Sequence, residues 1–187
     1  MQTEIQKNTK GRTLLVDGDI LVYRMGFAVE KTKYCLTTKT GPNGEDELWD
    51  IFDSKKDVPD VPGAELWSRK ALEPIENALH LINQFYDKLN EQFQPKQIQT
   101  FLSGEYNPRN AVAVTKIYKG NRTAEKPTYY KDIRSFLVSA CGATVADGLE
   151  ADDAIGIALL LDPTSIVVSI DKDLLQLKGT HYNWVKD

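Results

Sequence analysis

A chain of 187 residues, 41% of them hydrophobic and 27% charged, holds enough apolar material for one sizeable core, so a single domain over residues 1–187 is expected. Its longest apolar run, Ala154 to Leu161, is too short for a bilayer span, and the opening Met1-Gln2-Thr3-Glu4 lacks the apolar core of a signal sequence; a cytoplasmic protein without a membrane partner is predicted. The formal net charge of -4 excludes a chain coated in positive charge, and the isolated Cys35, Cys141, His80 and His181 supply neither a zinc centre nor a Ser-His-Asp nucleophile, which leaves oxygen as the ligand for any metal.

Residues 1–11 read as a polar, flexible leader. Thr13-Leu14-Leu15-Val16-Asp17 is a continuous apolar run ending in a carboxylate and followed by Gly18, the pattern of a strand buried on both faces of a parallel sheet. Lys33 to Phe52 reads as a hairpin, with Tyr34–Thr38 and Leu48–Phe52 flanking the turn-rich Gly41-Pro42-Asn43-Gly44. With a loop over 53–63 it makes a peripheral unit spanning 33–63. From about Ala64 to Phe93, Leu72, Ile75, Leu79, Ile82, Phe85, Tyr86, Leu89 and Phe93 recur at helical spacing, which predicts a helix with one face on the sheet. Pro95 stops it, and Gln97 to Leu102 makes a second strand.

The next segment is basic. From Tyr106 to Arg134 seven cationic residues (Arg109, Lys116, Lys119, Arg122, Lys126, Lys131, Arg134) stand against two acidic ones, a local balance of +5, whereas Ser135 to the end carries eight carboxylates and three lysines, or -5. Such neighbours suit an enzyme acting on a polyanion, one region holding phosphates and the other holding cations; a solvated helix face is the plain alternative. A helix from about Thr128 to Cys141, a strand Ala143 to Ala146, a helix Glu150 to Leu161 and a strand Ser165 to Ile170 follow. Strands alternating with helices predict an α/β three-layer sandwich with a mostly parallel central sheet.

In open α/β sheets functional groups collect beyond the carboxyl ends of the strands. Asp17 ends the first strand, Glu150, Asp152 and Asp153 open a helix after Ala143 to Ala146, and Asp171 and Asp173 follow Ser165 to Ile170. Each has an ordinary explanation as a helix cap or turn residue. Six carboxylates around one crevice, however, would raise one another's pKa values unless cations neutralise them, and hard divalent ions are the natural partners of an all-oxygen site. Two such ions can activate water and stabilise the leaving oxygen of a phosphodiester.

Four segments in this order and spacing resemble the 5' nucleases, the family of bacteriophage flap endonucleases and exonucleases and of the 5'-3' exonuclease domain of bacterial DNA polymerase I. They are Leu14-Leu15-Val16-Asp17-Gly18, Tyr118-Lys119-Gly120-Asn121-Arg122, Gly148-Leu149-Glu150-Ala151-Asp152-Asp153, and Asp171-Lys172-Asp173-Leu174-Leu175-Gln176-Leu177. The match covers Thr13 to Phe27 and then roughly Gln97 to Trp184. The resemblance implies a PIN-like 5' nuclease core that cuts DNA at free 5' ends or flaps with two Mg2+ or Mn2+ ions, in a bacterial or phage-infected cytoplasm. Asp17, Glu150, Asp152 and Asp153 would form the first metal site, and Asp171 and Asp173 would contribute to the second. Residues 105–127 would form a basic helical arch in which Lys119 and Arg122 grip phosphates near the scissile bond, with Arg109, Lys116 and Lys126 in support and Tyr118 stacking on a base or packing at the arch foot. Lys119→Ala is expected to weaken DNA binding and lower the salt slope by about 1; an unchanged slope in a salt titration would remove Lys119 from phosphate contact.

Two departures accompany the resemblance. The family usually has a further carboxylate where this chain reads Phe101-Leu102-Ser103-Gly104-Glu105. It also normally continues with a Gly-Asp-x-x-Asp-Asn type motif and a helical DNA-binding element beyond the position of Asp187. The resemblance therefore implies an excised domain, a split nuclease whose C-terminal half is a separate polypeptide, or a degenerate remnant. An RNA-cutting enzyme of the PIN-like class and a DNA-end-binding module with an inactive site are the alternatives.

Overall fold

β1 (Thr13–Asp17) is buried along its whole length, as a Leu-Leu-Val run in a parallel sheet must be when its alternate side chains meet apolar layers on both sides. In this computed structural model, which describes residues 9–40, 46–104 and 125–186, β1 pairs in parallel with β5 (Gln97–Ser103) on one side and β7 (Ile166–Val168) on the other. β6 (Thr144–Ala146) extends the sheet beyond β5, and β8 (Thr180–Tyr182) extends it beyond β7, both in parallel. The order is β6-β5-β1-β7-β8.

The alternation of side chains along the strands builds two cores. Leu14, Val16, Ile166 and Val168 join Leu21, Val22, Ile82, Phe85, Ile133 and Leu137 in the first. Leu15 and Val167, one residue out of step, join Ile155, Leu159 and Leu174 in the second. Helices α1 (Gly18–Ala28), α2 (Ile75–Phe93) and α3 (Tyr130–Ser139) therefore cover one face and α4 (Ala151–Leu161) covers the other. The chain is α/β, with a parallel five-stranded sheet between helical layers. Burying each such aliphatic side chain contributes about 1.5–3 kcal/mol, so these two cores fix where the strand ends lie. The chain leaves β6, passes beneath the sheet as α4 and returns on the far side of β1 as β7. Strand order thus reverses at β1, the place where open α/β sheets form a crevice.

The predicted helix from Ala64 is corrected: α2 begins at Ile75, and Glu65–Leu72 is a strand, β4, antiparallel to β2 (Glu30–Thr40). Pro74 has no amide to donate and disfavours helical geometry at Glu73, so the helical spacing cannot extend back through Leu72. The expected hairpin is present, with β2 antiparallel to β3 (Asp46–Phe52), Tyr34 opposite Phe52 and Thr38 opposite Leu48. Its turn, 41–45, lies outside the described residues. The unit is larger than predicted, a three-stranded sheet in the order β3-β2-β4.

The leader is also corrected at its inner end. Thr9 is buried, and the Gly11 amide donates to the Gln94 carbonyl (3.1 Å) just past α2. The Lys96 amide donates to the Arg12 carbonyl (3.2 Å), and the Arg12 guanidinium donates to the Thr164 carbonyl and to Thr180 Oγ1. Residues 1–8 lie outside the described residues. Among the described residues no helix is long and apolar enough to cross a membrane.

Candidate metal centre

The carboxyl ends of β1, β5 and β7 open into a cleft of about 1050 Å³. Five of the six expected carboxylates, Asp17, Glu150, Asp152, Asp171 and Asp173, line it, together with Asp19 and Ser103. Asp153 does not line the cleft and reaches it through its two acidic neighbours. One oxygen from each of Glu150, Asp152 and Asp153 lies within 4.8 Å of the others, a span that one hard cation with ligand distances of about 2.0–2.6 Å can bridge.

Asp17 is 5% exposed and serves two structures at once. Its Oδ1 accepts the Ile20 amide (3.2 Å), capping α1, and its Oδ2 accepts the Ser169 hydroxyl (3.0 Å) beyond β7. Burial nevertheless pushes its pKa from 3.8 to about 6; the two hydrogen bonds oppose the rise, and Asp19 and Asp171 add to it by repulsion. A carboxylate that resists ionisation despite two donors lacks nearby positive charge, and a bound cation would supply it.

The acids on α4 are not explained as caps alone. Glu150 occupies the N-cap position, yet its side chain makes no capping hydrogen bond. The first amide of the helix, that of Ala151, donates instead to Ser103 Oγ (2.9 Å). Asp152 does take a local role, its Oδ1 accepting the Asp153 amide (2.9 Å). Glu150 is buried at the cleft floor, Asp153 is partly buried and Asp152 is exposed. The turn after β7 is similarly built from its own acids: the Asp171 amide donates to Ser169 Oγ (3.0 Å) and the Asp173 amide to Asp171 Oδ1 (2.9 Å). These contacts orient the Asp171 carboxylate and fix the backbone that carries Asp173, both acids standing exposed at the rim.

Sequence reasoning did not single out Asp19 and Ser169, noted Ser103 only as standing where the resembled family usually has a further carboxylate, and counted Arg134 only as part of the basic segment. Asp19 Oδ2 accepts the Ser103 amide (3.1 Å), and its Oδ1 pairs with Arg134 Nη1 (2.8 Å). The one signal in the sequence was a second acid two residues after the strand-end Asp17. Along α1, Ile20, Tyr23, Arg24 and Phe27 recur at helical spacing and form the wall leading away from the carboxylates. Tyr23 packs on Phe27 (6.2 Å between ring centroids) and meets the Tyr130 ring edge-on (5.4 Å).

Of the expected DNA contacts only Lys126 is described: its Nζ lies 4.4 Å from the Tyr130 ring centroid, a cation-π contact beside this wall. Tyr118, Lys119, Arg122, Arg109 and Lys116, and the alternative acid Glu105, lie outside the described residues. The end of the basic segment is nonetheless seated. Glu125 pairs with Lys70 on β4 (2.8 Å), and Pro127 packs so closely on α1 that a Cβ at Gly26 would lie 2.6 Å from it.

No protein-family model matches the chain, and no curated protein and no solved structure matches it.

Proposed function

We propose that this chain is a divalent-metal-dependent 5'-3' exonuclease or flap endonuclease with a PIN-like core, hydrolysing DNA phosphodiesters at 5' ends or flaps. The observation that carries the reading is the convergence in one cleft of Asp17, Glu150, Asp152, Asp171 and Asp173, which come from three separate strand ends. The donor set is all oxygen and strongly anionic, so it fits Mg2+ or Mn2+ and offers nothing soft enough to favour zinc. When bound, two such ions supply an activated water and neutralise the leaving oxygen.

The chain's own groups do the rest. Asp17, held by Ile20 and Ser169, presents a fixed negative charge at the cleft floor. The Glu150, Asp152 and Asp153 trio grips from α4, and Asp171 and Asp173 grip from the rim. The wall of Ile20, Tyr23, Arg24 and Phe27 offers an aromatic and basic surface to a strand leaving the cleft, a combination that holds single strands without reading sequence. The basic stretch containing Lys119 and Arg122 would hold phosphates.

The test is cleavage of an end-labelled 5'-flap DNA and its RNA counterpart in Mg2+ and in Mn2+, with Asp153→Asn as control. The expected result is cleavage of the DNA flap that the control loses. Asp153→Asn should leave stability unchanged or slightly raised, because it removes one like charge from the cluster. Faster cutting of RNA would replace the reading by a ribonuclease of the PIN-like class, and tight flap binding without cleavage would replace it by an end-binding module. The absence of both binding and cleavage would overturn it.

A further inference from the structure

We infer that Ser103 is a positioning residue of the carboxylate cleft, locked by the Asp19–Arg134 ion pair, and that it sets the distance between α4 and Asp17. The inference rests on the reading of the cleft as a metal site. Each polar atom of Ser103 is committed to a different helix. Its amide donates to Asp19 on α1 (3.1 Å), its carbonyl accepts Arg134 Nη2 from α3 (2.7 Å), and its hydroxyl accepts the Ala151 amide at the start of α4 (2.9 Å). Arg134 Nη1 closes the bracket on Asp19 Oδ1 (2.8 Å), with side-chain exposures of 18% and 25% for the two partners. Charge-assisted bonds that are largely sheltered from solvent are strong and weakly screened.

The geometry gives this bracket a job that packing alone cannot do. Ile155 and Leu159 hold α4 against Leu15 and Val167, but apolar contact is non-directional and resists separation better than sliding. The bond from the Ala151 amide to Ser103 is directional and lies one residue from Glu150. The other end of the bracket, Asp19, lies two residues from Asp17. Sliding of α4 is therefore opposed at the point where it would change the spacing of the acids. The neighbouring Gly104 amide reinforces the register by donating to the Leu149 carbonyl (3.3 Å), and a Cβ at Gly104 would lie 2.4 Å from the Ala146 carbonyl oxygen. Ser103 thus serves the cleft through geometry and contributes no charge to it.

Mn2+ binding measured by titration calorimetry on the wild type, Ser103→Ala, Ser103→Thr and Asp19→Asn tests this, with a metal-free melting curve for each. Groups that orient metal ligands typically change affinity by about 10–100-fold. Ser103→Ala is expected to bind Mn2+ at least tenfold more weakly, Asp19→Asn several-fold more weakly, and Ser103→Thr, which keeps the hydroxyl, about as well as the wild type. A folded Ser103→Ala with a lower melting temperature but wild-type affinity would make Ser103 a helix cap only and overturn the inference. If Ser103→Ala does not fold, Asp19→Asn decides alone, unchanged affinity overturning the inference. A wild type that takes up no Mn2+ removes the metal reading itself, a result distinct from uptake that the variants leave unaltered.

Discussion

Asp17→Asn is expected to reduce metal-dependent cleavage by at least about 100-fold and, in the metal-free protein at pH 7.5, to raise the melting temperature. The two effects have one cause. Burial and the neighbouring Asp19 and Asp171 lift the Asp17 pKa from 3.8 to about 6, so keeping this group charged at neutral pH costs the folded state up to about 3 kcal/mol. Asparagine remains a good N-cap and can still accept the Ile20 amide, so the charge is removed while the cap is kept. The folded-state pKa lies above the unfolded one. The penalty is therefore absent below about pH 4, grows as pH rises to about 6, and is complete above that.

For a protein of this size the gain corresponds to an upward shift on the order of 5 °C, present at pH 7.5 and gone by pH 4. Added Mn2+ should reverse the order by stabilising only the wild type, since a ligand that binds the folded state raises its stability. Melting curves at both pH values, with EDTA and with Mn2+, read all of this. A metal-free wild type that outlasts Asp17→Asn at pH 7.5 would mean that Ile20 and Ser169 satisfy the carboxylate without a cation.

Gly18→Ala is expected to destabilise the protein by about 3 kcal/mol and to cost activity with it. A Cβ at Gly18 would stand 2.6 Å from the Phe101 carbonyl oxygen and 2.9 Å from both Leu102 Cδ2 and Thr100 Cγ2. The first of these is backbone of β5, a strand paired on both sides, so the clash is relieved only by moving α1 off the sheet. Because Gly18 separates Asp17 from Asp19, that movement would displace the capped carboxylate and the end of the Ser103 bracket together. Gly156→Ala is the internal comparison. Its Cβ would meet Leu177 at 3.6 Å, ordinary contact, and alanine in a helix is favoured over glycine by roughly 0.5–1 kcal/mol. Chemical denaturation of both variants should therefore give shifts of opposite sign. Equal stability of Gly18→Ala and the wild type would show that α1 does not depend on this close approach.

The parts of the fold that were legible in the sequence are those where burial leaves a continuous signature. β1 and β7 are short apolar runs enclosed on both faces, and the β2–β3 hairpin follows from two strand-like runs on either side of a turn-rich stretch. β4 was lost because Leu72 falls in helical step with Ile75 and Leu79, a coincidence that Pro74 should have interrupted. α1 was not anticipated because two of its four buried positions are Gly18 and Gly26, which pack through the absence of a side chain and leave no hydrophobic mark. The acids were located from their places after apolar runs, five of the six lining the cleft. Their supports were not, because Asp19 finds Ser103 across 84 residues, Arg134 finds Asp19 across 115, and Ser169 finds Asp17 across 152. Partners that far apart have no periodicity to betray them.

The Ser169–Asp17 hydrogen bond also has a bearing on how the chain comes to life. The carboxylate that ends β1 meets its hydroxyl donor, 152 residues further along the chain, only after β7 has been laid against β1. Contacts between distant segments form late, because the intervening chain must first be ordered. A partly folded chain therefore holds Asp17 apart from the acids that follow β6 and β7, and the whole cleft is assembled only when β7 docks. Cutting power, on the function proposed above, arrives only with the closed sheet, and the polynucleotides around the newborn protein are spared until then.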